Sequence, residues 1–170
     1  MIATPVRRER WYTQIAPVAT VVFAVLLDLL WIPVPGFNTV TPAFAVMAVY
    51  CWAAWRPDYL PYTAVFAAGL LEDLIRGTPL GTGALALLAV QGFVWAQQRL
   101  LRTRSFEVLW LGFAVAALMS AAVSWCAIAF TYRTVLSPWP GAMQYLLTVA
   151  AFPALAFVLM RIERGLPRPV

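Results

Sequence analysis

The chain has 170 residues, of which 63% are hydrophobic and only 11% are charged, and its mean hydropathy is +0.80. About a quarter of the residues in a soluble globular domain are charged, so this composition excludes that class. The net charge of +5 is compatible with nucleic-acid binding, but arginines that orient membrane spans and face anionic lipids explain the surplus better. We therefore expect an integral membrane protein that binds no nucleic acid.

Six apolar runs, separated by prolines, glycines and charged residues, predict an all-α bundle of six transmembrane helices. Trp11 and Trp31 flank the first run, and the helix between them is about 30 Å long, which matches the hydrocarbon core of a bilayer. The runs leave no room for a soluble domain. We predict one membrane domain over residues 1–170, with spans at about 14–32, 42–55, 61–75, 81–98, 108–132 and 143–160.

The second and third runs are short, at about 14 to 16 residues, whereas a spanning helix usually needs about 20. They are either full spans in a locally thinned bilayer or the two arms of a re-entrant hairpin. The turn between them contains Arg56, Pro57, Asp58 and Pro61. Full spans place Arg56 on the cytoplasmic side with most other arginines, so we favour them.

The basic residues are all arginines, and they are distributed unevenly between the gaps. Only Arg76 and Arg133 lie near the gaps that follow the first, third and fifth runs. Because short basic loops stay in the cytoplasm, this pattern predicts that both termini are cytoplasmic. The first run follows three arginines as a signal peptide does, but it is long and lacks a small-residue cleavage site, so we expect it to be retained. The other ten arginines lie in alternate gaps: Arg7, Arg8, Arg10, Arg56, Arg99, Arg102, Arg104, Arg161, Arg164 and Arg168.

Asp28 lies within the apolar sequence of the first predicted span, near its outer end. Charged side chains at membrane depth are costly, and they usually have a function or a partner. We expect Asp28 to form an ion pair with Arg76 or Arg133. The alternatives are a carboxylate that faces an outer cavity and one that is solvated at the interface.

The densest charged cluster comprises Glu72, Asp73 and Arg76, at the end of the third predicted span. Glu72 precedes Arg76 by four residues, the favourable order for a helical ion pair. After this cluster, Gly77 can end the helix in a left-handed conformation and Pro79 prevents its continuation, while Gly81 permits a close approach of the backbone. A carboxylate here can also accept hydrogen bonds from the first amides of the next helix. A locked outer corner is the favoured interpretation, and a ligand-binding or partner-binding role is the alternative.

The sequence argues against an enzyme. It contains no histidine to act as a general base. Glu72 and Asp73 are adjacent, so on a helix they point about 100° apart and form a poor acid pair. Cys51 and Cys126 lie in apolar runs, and no cluster of metal ligands is apparent. We expect no cofactor.

Two short motifs stand out: the first is Arg56-Pro57-Asp58 followed by Pro61, and the second is Gly69-Leu70-Leu71-x-Asp73-Leu74-x-x-Gly77-x-Pro79-Leu80-Gly81. Together they resemble the signature of the MreD family of rod shape-determining membrane proteins. The predicted length, the short second and third spans and the basic inner loops also resemble that family. The matching motifs cover about residues 40–90, and neither Asp28 nor Glu72 belongs to the family pattern.

The resemblance implies a non-enzymatic, multi-pass subunit of the bacterial inner membrane that serves cell elongation and peptidoglycan synthesis. The expected partners are MreC, RodA, a cell-wall transpeptidase and, indirectly, the MreB filament. We further expect small-residue helix faces, including that of the fifth helix, to hold a partner helix, and basic loops to contact anionic lipids. The family's fold is similar to the substrate-binding subunits of energy-coupling-factor transporters. The alternative function is therefore a small-molecule-binding subunit of such a transporter.

Overall fold

The computed structural model describes residues 6–28, 41–98, 105–133 and 137–164. These ranges contain α-helices, one short 3₁₀ turn and no β-strand, which confirms the predicted all-α class. Each predicted span overlaps one helix, although residues 29–32 of the first span lie outside the described residues. The helices are α1 (Val6–Leu27), α2 (Phe44–Trp55), α3 (Tyr62–Arg76), α4 (Thr82–Ala96), α5 (Phe106–Tyr132) and α6 (Trp139–Arg164), and the 3₁₀ turn is Pro57–Tyr59.

Helix α2 lies at the centre of the bundle and packs against α1, α4, α5 and α6. Nine of its twelve residues are buried, because its sequence is apolar on every face. Its two largest fully buried side chains direct their polar atoms to partners on other helices. The Trp52 indole donates a hydrogen bond to Thr20 Oγ1 (2.7 Å), and the Tyr50 hydroxyl donates to the carbonyl of Leu109 (2.9 Å).

Three aromatic side chains join α2 to the two long helices. Phe113 of α5 and Phe152 of α6 are stacked with ring centroids 4.0 Å apart, and Tyr50 meets both rings edge-on at 5.3 and 5.8 Å. Edge-on and stacked pairs contribute about 0.5–1.5 kcal/mol beyond the burial of area. This cluster forms the core of the bundle between α2, α5 and α6.

Helices α3 and α4 form a closely packed antiparallel hairpin. Gly69 of α3 lies directly against the backbone of Ala84 on α4, and a Cβ added at Gly69 would come within 2.6 Å of the Ala84 amide nitrogen. Gly83 faces α3 in the same way, because a Cβ there would lie 3.1 Å from the Gly69 carbonyl oxygen. The absence of side chains at these two positions permits the close approach.

Two described helices, Phe106–Tyr132 and Trp139–Glu163, are long and apolar enough to cross a membrane. Shorter apolar segments occur at Ala16–Leu27, Phe44–Trp55 and Thr82–Ala96. Large apolar side chains cover the outside of the bundle, and Phe130 is 87% exposed. Such a surface suits lipid as the surrounding solvent, and the crossing of the membrane by all six helices stays a prediction.

Candidate functional site

Asp28 connects three helices at one end of the bundle, which we call the polar end. Its carboxylate accepts hydrogen bonds from the amides of Phe44 (2.7 Å) and Ala45 (3.2 Å), at the start of α2. Arg76 Nη2 of α3 lies 3.4 Å from Asp28 Oδ2. Residue 43, which precedes α2, is an alanine and offers no capping side chain. The carboxylate from α1 therefore satisfies amides that α2 cannot satisfy itself.

Arg76 bridges two carboxylates. Its Nη1 lies 3.1 Å from Glu72 Oε1, one helical turn earlier, while its Nη2 contacts Asp28. The ion pair between Glu72 and Arg76 confirms the prediction from their spacing. Of the two partners that the sequence proposed for Asp28, the structure places Arg76 beside it.

Asp73 holds the turn between α3 and α4. Its side chain accepts hydrogen bonds from the Thr78 hydroxyl (2.8 Å) and from the amides of Gly81 (2.8 Å) and Gly83 (2.7 Å). Gly77 and Gly81 have φ angles of +66° and +100°, a conformation that glycine adopts without strain. The predicted helix end at Gly77 and the predicted capping of α4 by a carboxylate are both confirmed.

Thr148 of α6 completes the cap of α2, and sequence reasoning missed it. Its hydroxyl accepts a hydrogen bond from the amide of Ala43 (3.0 Å) and donates one to the carbonyl of Gln144 (2.6 Å). Thr148 is buried. A single threonine in an apolar helix commonly bonds to its own helix, so the sequence carries no signal for the second contact.

A cavity of about 770 Å³ opens at the polar end, between these capped helix termini and the adjoining parts of α5 and α6. Small side chains of α5 leave room for it. Ala117 and Ser120 are buried, and Ala121 and Ser124 line the cavity with them. The small-residue face of α5 thus lines this cavity, and the binding of a partner helix by that face stays a prediction. The polar and aromatic lining residues are Asp28, Thr41, Glu72, Asp73, Arg76, Thr78, Thr82, Ser120, Ser124, Trp125, Ser137, Gln144, Tyr145 and Thr148.

The first family motif lies at the opposite end of α2, about 18 Å away along that helix. Arg56 forms an ion pair with Glu163 near the end of α6, with Arg56 Nη2 3.1 Å from Glu163 Oε1, and its guanidinium lies 5.6 Å from the centre of the Tyr59 ring. Pro57 starts the 3₁₀ turn and Asp58 is exposed. The sequence did not indicate Glu163 as a partner.

The ten candidate residues thus fall into two groups. Arg56, Pro57 and Asp58 lie at the Arg56 end. Pro79 belongs to the polar end, where its carbonyl accepts a hydrogen bond from the amide of Thr82 (3.1 Å). The polar end also contains Asp28, Glu72, Asp73, Arg76, Gly77 and Gly81.

The charged groups of the polar end are engaged in structural contacts. Asp73 accepts three hydrogen bonds, Asp28 binds two amides and one guanidinium, and Glu72 pairs with Arg76. Within the described ranges, no three side chains among His, Cys, Asp and Glu are grouped so that they could hold a metal ion. The arrangement therefore resembles a set of helix caps rather than a reaction centre.

A family model described as rod shape-determining protein MreD matches residues 9–162 of the chain. No curated protein matches the chain. No solved structure matches it either.

Proposed function

Because this chain belongs to the MreD family of rod shape-determining membrane proteins, we propose that it is a non-enzymatic scaffold of the bacterial cell-elongation machinery. The family match over residues 9–162 is the observation that carries the proposal, since it covers nearly the whole chain. The family is a structural, shape-determining one. The proposed role is to bind MreC and to position or tune the enzymes that synthesise the cell wall.

The contacts of the charged residues support a scaffold rather than a catalyst. The carboxylates Asp28 and Asp73 cap helices α2 and α4, and Arg76 joins α1 to α3. At the other end, Arg56 ties the turn after α2 to α6 through Glu163. These contacts fix the relative positions of the helices. A rigid bundle can present a constant surface to a single-span partner such as MreC and, beyond it, to RodA and a transpeptidase.

The proposed location is the bacterial inner membrane, crossed six times, with both termini in the cytoplasm. Ten of the twelve arginines lie in the gaps assigned to the cytoplasmic side, where they can contact anionic lipids. In this arrangement the Arg56 end faces the cytoplasm and the polar end faces outward. The MreB filament on the cytoplasmic side is then an indirect partner.

Co-purification tests the scaffold proposal. The full-length chain carries an affinity tag and is expressed with MreC from the same bacterium, and the complex is isolated from detergent-solubilised membranes. We expect MreC to be retained at about one copy per chain, and RodA or a transpeptidase to be retained at lower occupancy. An unrelated six-span protein with the same tag is the control, and it should retain none of them.

A functional test addresses shape directly. Expression of the chain in a rod-shaped bacterium that lacks its own family member should restore rod-shaped cells, provided that MreC from the donor is supplied with it. Folded chain that reaches the membrane but neither retains MreC nor restores the shape would contradict the scaffold proposal.

The cavity favours a second candidate function, a solute-binding membrane subunit similar to those of energy-coupling-factor transporters. Its volume of about 770 Å³ is within the range of small-molecule sites. Native mass spectrometry of the purified chain distinguishes the two functions. Retention of a protein subunit supports the scaffold, whereas a stoichiometric small molecule together with a coupled ATPase supports the transporter subunit.

A further inference from the structure

The charges that line the cavity at the polar end are unbalanced. Three carboxylates, Asp28, Glu72 and Asp73, and one guanidinium, Arg76, line it, so three negative charges against one positive charge leave a formal charge of −2. The starts of α2 and α4 each supply about half a positive charge, which offsets part of this formal charge. In the sequence, residues 29–40 and 134–136, which lie outside the described ranges, include no charged residue, and Arg133, exposed at the end of α5, does not line the cavity.

A hydroxyl that faces the cavity is available to a ligand. Ser120 is only 6% exposed and lines the cavity, and within the part of the chain that the structure describes its hydroxyl has no hydrogen-bond partner. Serines in helices usually bond to a carbonyl one turn back. An occupant of the cavity that accepts or donates a hydrogen bond at Ser120 would satisfy it.

We propose that this cavity binds a ligand through a positively charged ammonium group. The excess of carboxylates over guanidinium groups favours a cation and disfavours an anion. Trp125 and Tyr145 line the same cavity, and aromatic faces attract ammonium groups. Glu72 is the carboxylate best suited to the contact, because neither of its oxygens accepts a hydrogen bond from a backbone amide in the described ranges. The proposal does not depend on the binding of MreC.

Two sources can supply this ammonium group: a free amine and the ethanolamine headgroup of a membrane lipid. The cavity is large enough for either. The experiment therefore uses 1,4-diaminobutane as the free amine and phosphatidylethanolamine as the lipid. Phosphatidylglycerol with the same acyl chains, and 1,4-butanediol, are the matched probes without an ammonium group.

Binding is measured by native mass spectrometry on the purified full-length chain, without partners, in detergent. We expect at least one ammonium probe to bind about tenfold more tightly than its matched uncharged or anionic probe. Binding of the diamine would identify a free amine as sufficient, and binding of phosphatidylethanolamine alone would identify the lipid headgroup. Equal binding of ammonium and matched probes in both pairs would overturn the proposal.

Glu72→Gln tests the charge. It removes one carboxylate of the cavity and frees Arg76 to repel the ligand, so we expect about a tenfold loss of affinity for the ammonium probe. Glu107→Gln is the control, because Glu107 is exposed in the first turn of α5, at the opposite end of the bundle. Equal effects of the two substitutions would place the binding outside the cavity and overturn the proposal.

Ala121→Phe tests whether the ligand occupies the volume of the cavity. This test is valid even if the Glu72→Gln chain does not fold well. Ala121 lines the cavity, so a phenyl ring there occupies the space of the ligand without changing any charge. Ala122→Phe on the neighbouring, exposed position is the control. We expect Ala121→Phe to abolish detectable binding of the ammonium probe and Ala122→Phe to leave it within twofold. Retained binding in a monodisperse Ala121→Phe chain would exclude this cavity as the site.

Discussion

At the scale of single residues, the costly charges of this chain act as caps for neighbouring helices. Neither Ala43 nor Gly81, which precede α2 and α4, has a side chain that can cap the helix. In each case the missing acceptor comes from the helix before it in the chain, Asp28 for α2 and Asp73 for α4. An aspartate within a membrane span is expensive unless it is paired. Here the unpaired amides at the start of the next helix donate hydrogen bonds to the aspartate, so the carboxylate needs no water as a partner.

Removing the charge of Asp28 should destabilise the bundle. The carboxylate is almost wholly buried and binds two amides and Arg76. We expect Asp28→Asn to lower the free energy of unfolding by about 3 kcal/mol, because it removes one of the two carboxylates that pair with Arg76 and weakens the cap. Arg76→Gln should cost less, about 1–2 kcal/mol, because Arg76 is partly exposed. Denaturant unfolding in detergent micelles measures both.

The double variant Asp28→Asn/Arg76→Gln identifies the pair itself. If the two side chains interact, the double variant should be more stable than the sum of the single losses predicts, by about 1 kcal/mol. Single effects that add to within about 0.3 kcal/mol would show that the contact contributes nothing to stability.

Asp73 should be similarly sensitive to substitution. Asn at this position keeps one acceptor oxygen but loses the charge and part of the set of three hydrogen bonds from Thr78, Gly81 and Gly83. We expect Asp73→Asn to cost about 2 kcal/mol of unfolding free energy. Asp58→Asn, on an exposed aspartate at the other end of the bundle, should change it by less than about 0.5 kcal/mol. Comparable melting temperatures for the two variants would contradict this role of Asp73.

The local part of this site could be predicted from the sequence, and the long-range part could not. The contacts of Glu72 with Arg76 and of Asp73 with the start of α4 follow from short spacings and from the glycines between them. Thr148 and Glu163 meet their partners across 105 and 107 positions. Only the packing of α6 against α2 brings them together, and hydropathy carries no information on which helices are neighbours.

At the scale of helices, the α3–α4 hairpin depends on the absence of a side chain at Gly69. A methyl group there would overlap the Ala84 backbone, which cannot move without displacing α4. We therefore expect Gly69→Ala to cost about 3 kcal/mol, although alanine favours an isolated helix. Gly92→Ala is the matched control within α4, because a methyl group at Gly92 meets open space. It should stabilise the chain by up to about 1 kcal/mol.

Thermal unfolding of the two glycine variants should therefore shift in opposite directions. A stabilising or neutral effect of Gly69→Ala would mean that α3 and α4 are farther apart than the structure places them. A cross-link between cysteines introduced at exposed positions of the hairpin could then measure the actual separation.

The sequence predicted which segments are helical more accurately than it predicted the residues at which each helix begins and ends. All six apolar runs overlap an α-helix, because a long apolar run leaves its backbone groups no other partners in lipid. Their ends differ where polar or proline residues continue the helix beyond the apolar run. Helix α1 begins at Val6 and includes three arginines, and α6 begins at Trp139 rather than near residue 143, with Pro140 in its first turn.

At the scale of the whole molecule, the ion pairs between described residues lie at the two ends of the bundle. The polar end gathers the ends of α1 and α3 with the starts of α2 and α4, and the Arg56 end gathers the opposite termini. A chain whose consecutive helices alternate in direction produces this arrangement. If each helix also crosses the bilayer, every contact of the polar end lies on one side of the membrane and Arg56 lies on the other.

Site-specific labelling of single cysteines tests this topology. The background is Cys126→Ala, because Cys126 is exposed, whereas Cys51 is buried and should not react in the folded chain. Asp58→Cys reports the Arg56 end and Ser137→Cys reports the polar end, and both native residues are exposed. With a membrane-impermeant maleimide applied to spheroplasts, we expect Ser137→Cys to be labelled at once and Asp58→Cys only after lysis, since the arginine pattern assigns residue 58 to the cytoplasm.

The same pair of variants separates full spans from a re-entrant hairpin for α2 and α3. A hairpin that enters and leaves on the outer side keeps the number of crossings even, but it brings the turn at residues 57–59 back toward the outer face. Labelling of Asp58→Cys in intact spheroplasts would therefore contradict six crossings while leaving the packed fold unchanged. Protection of Asp58→Cys together with labelling of Ser137→Cys requires α2 to carry the chain across the membrane, although it has only twelve helical residues. Twelve residues extend about 18 Å against a hydrocarbon core of about 30 Å, so residues on either side of α2 must then contribute to the crossing, inside the bundle where α2 is buried.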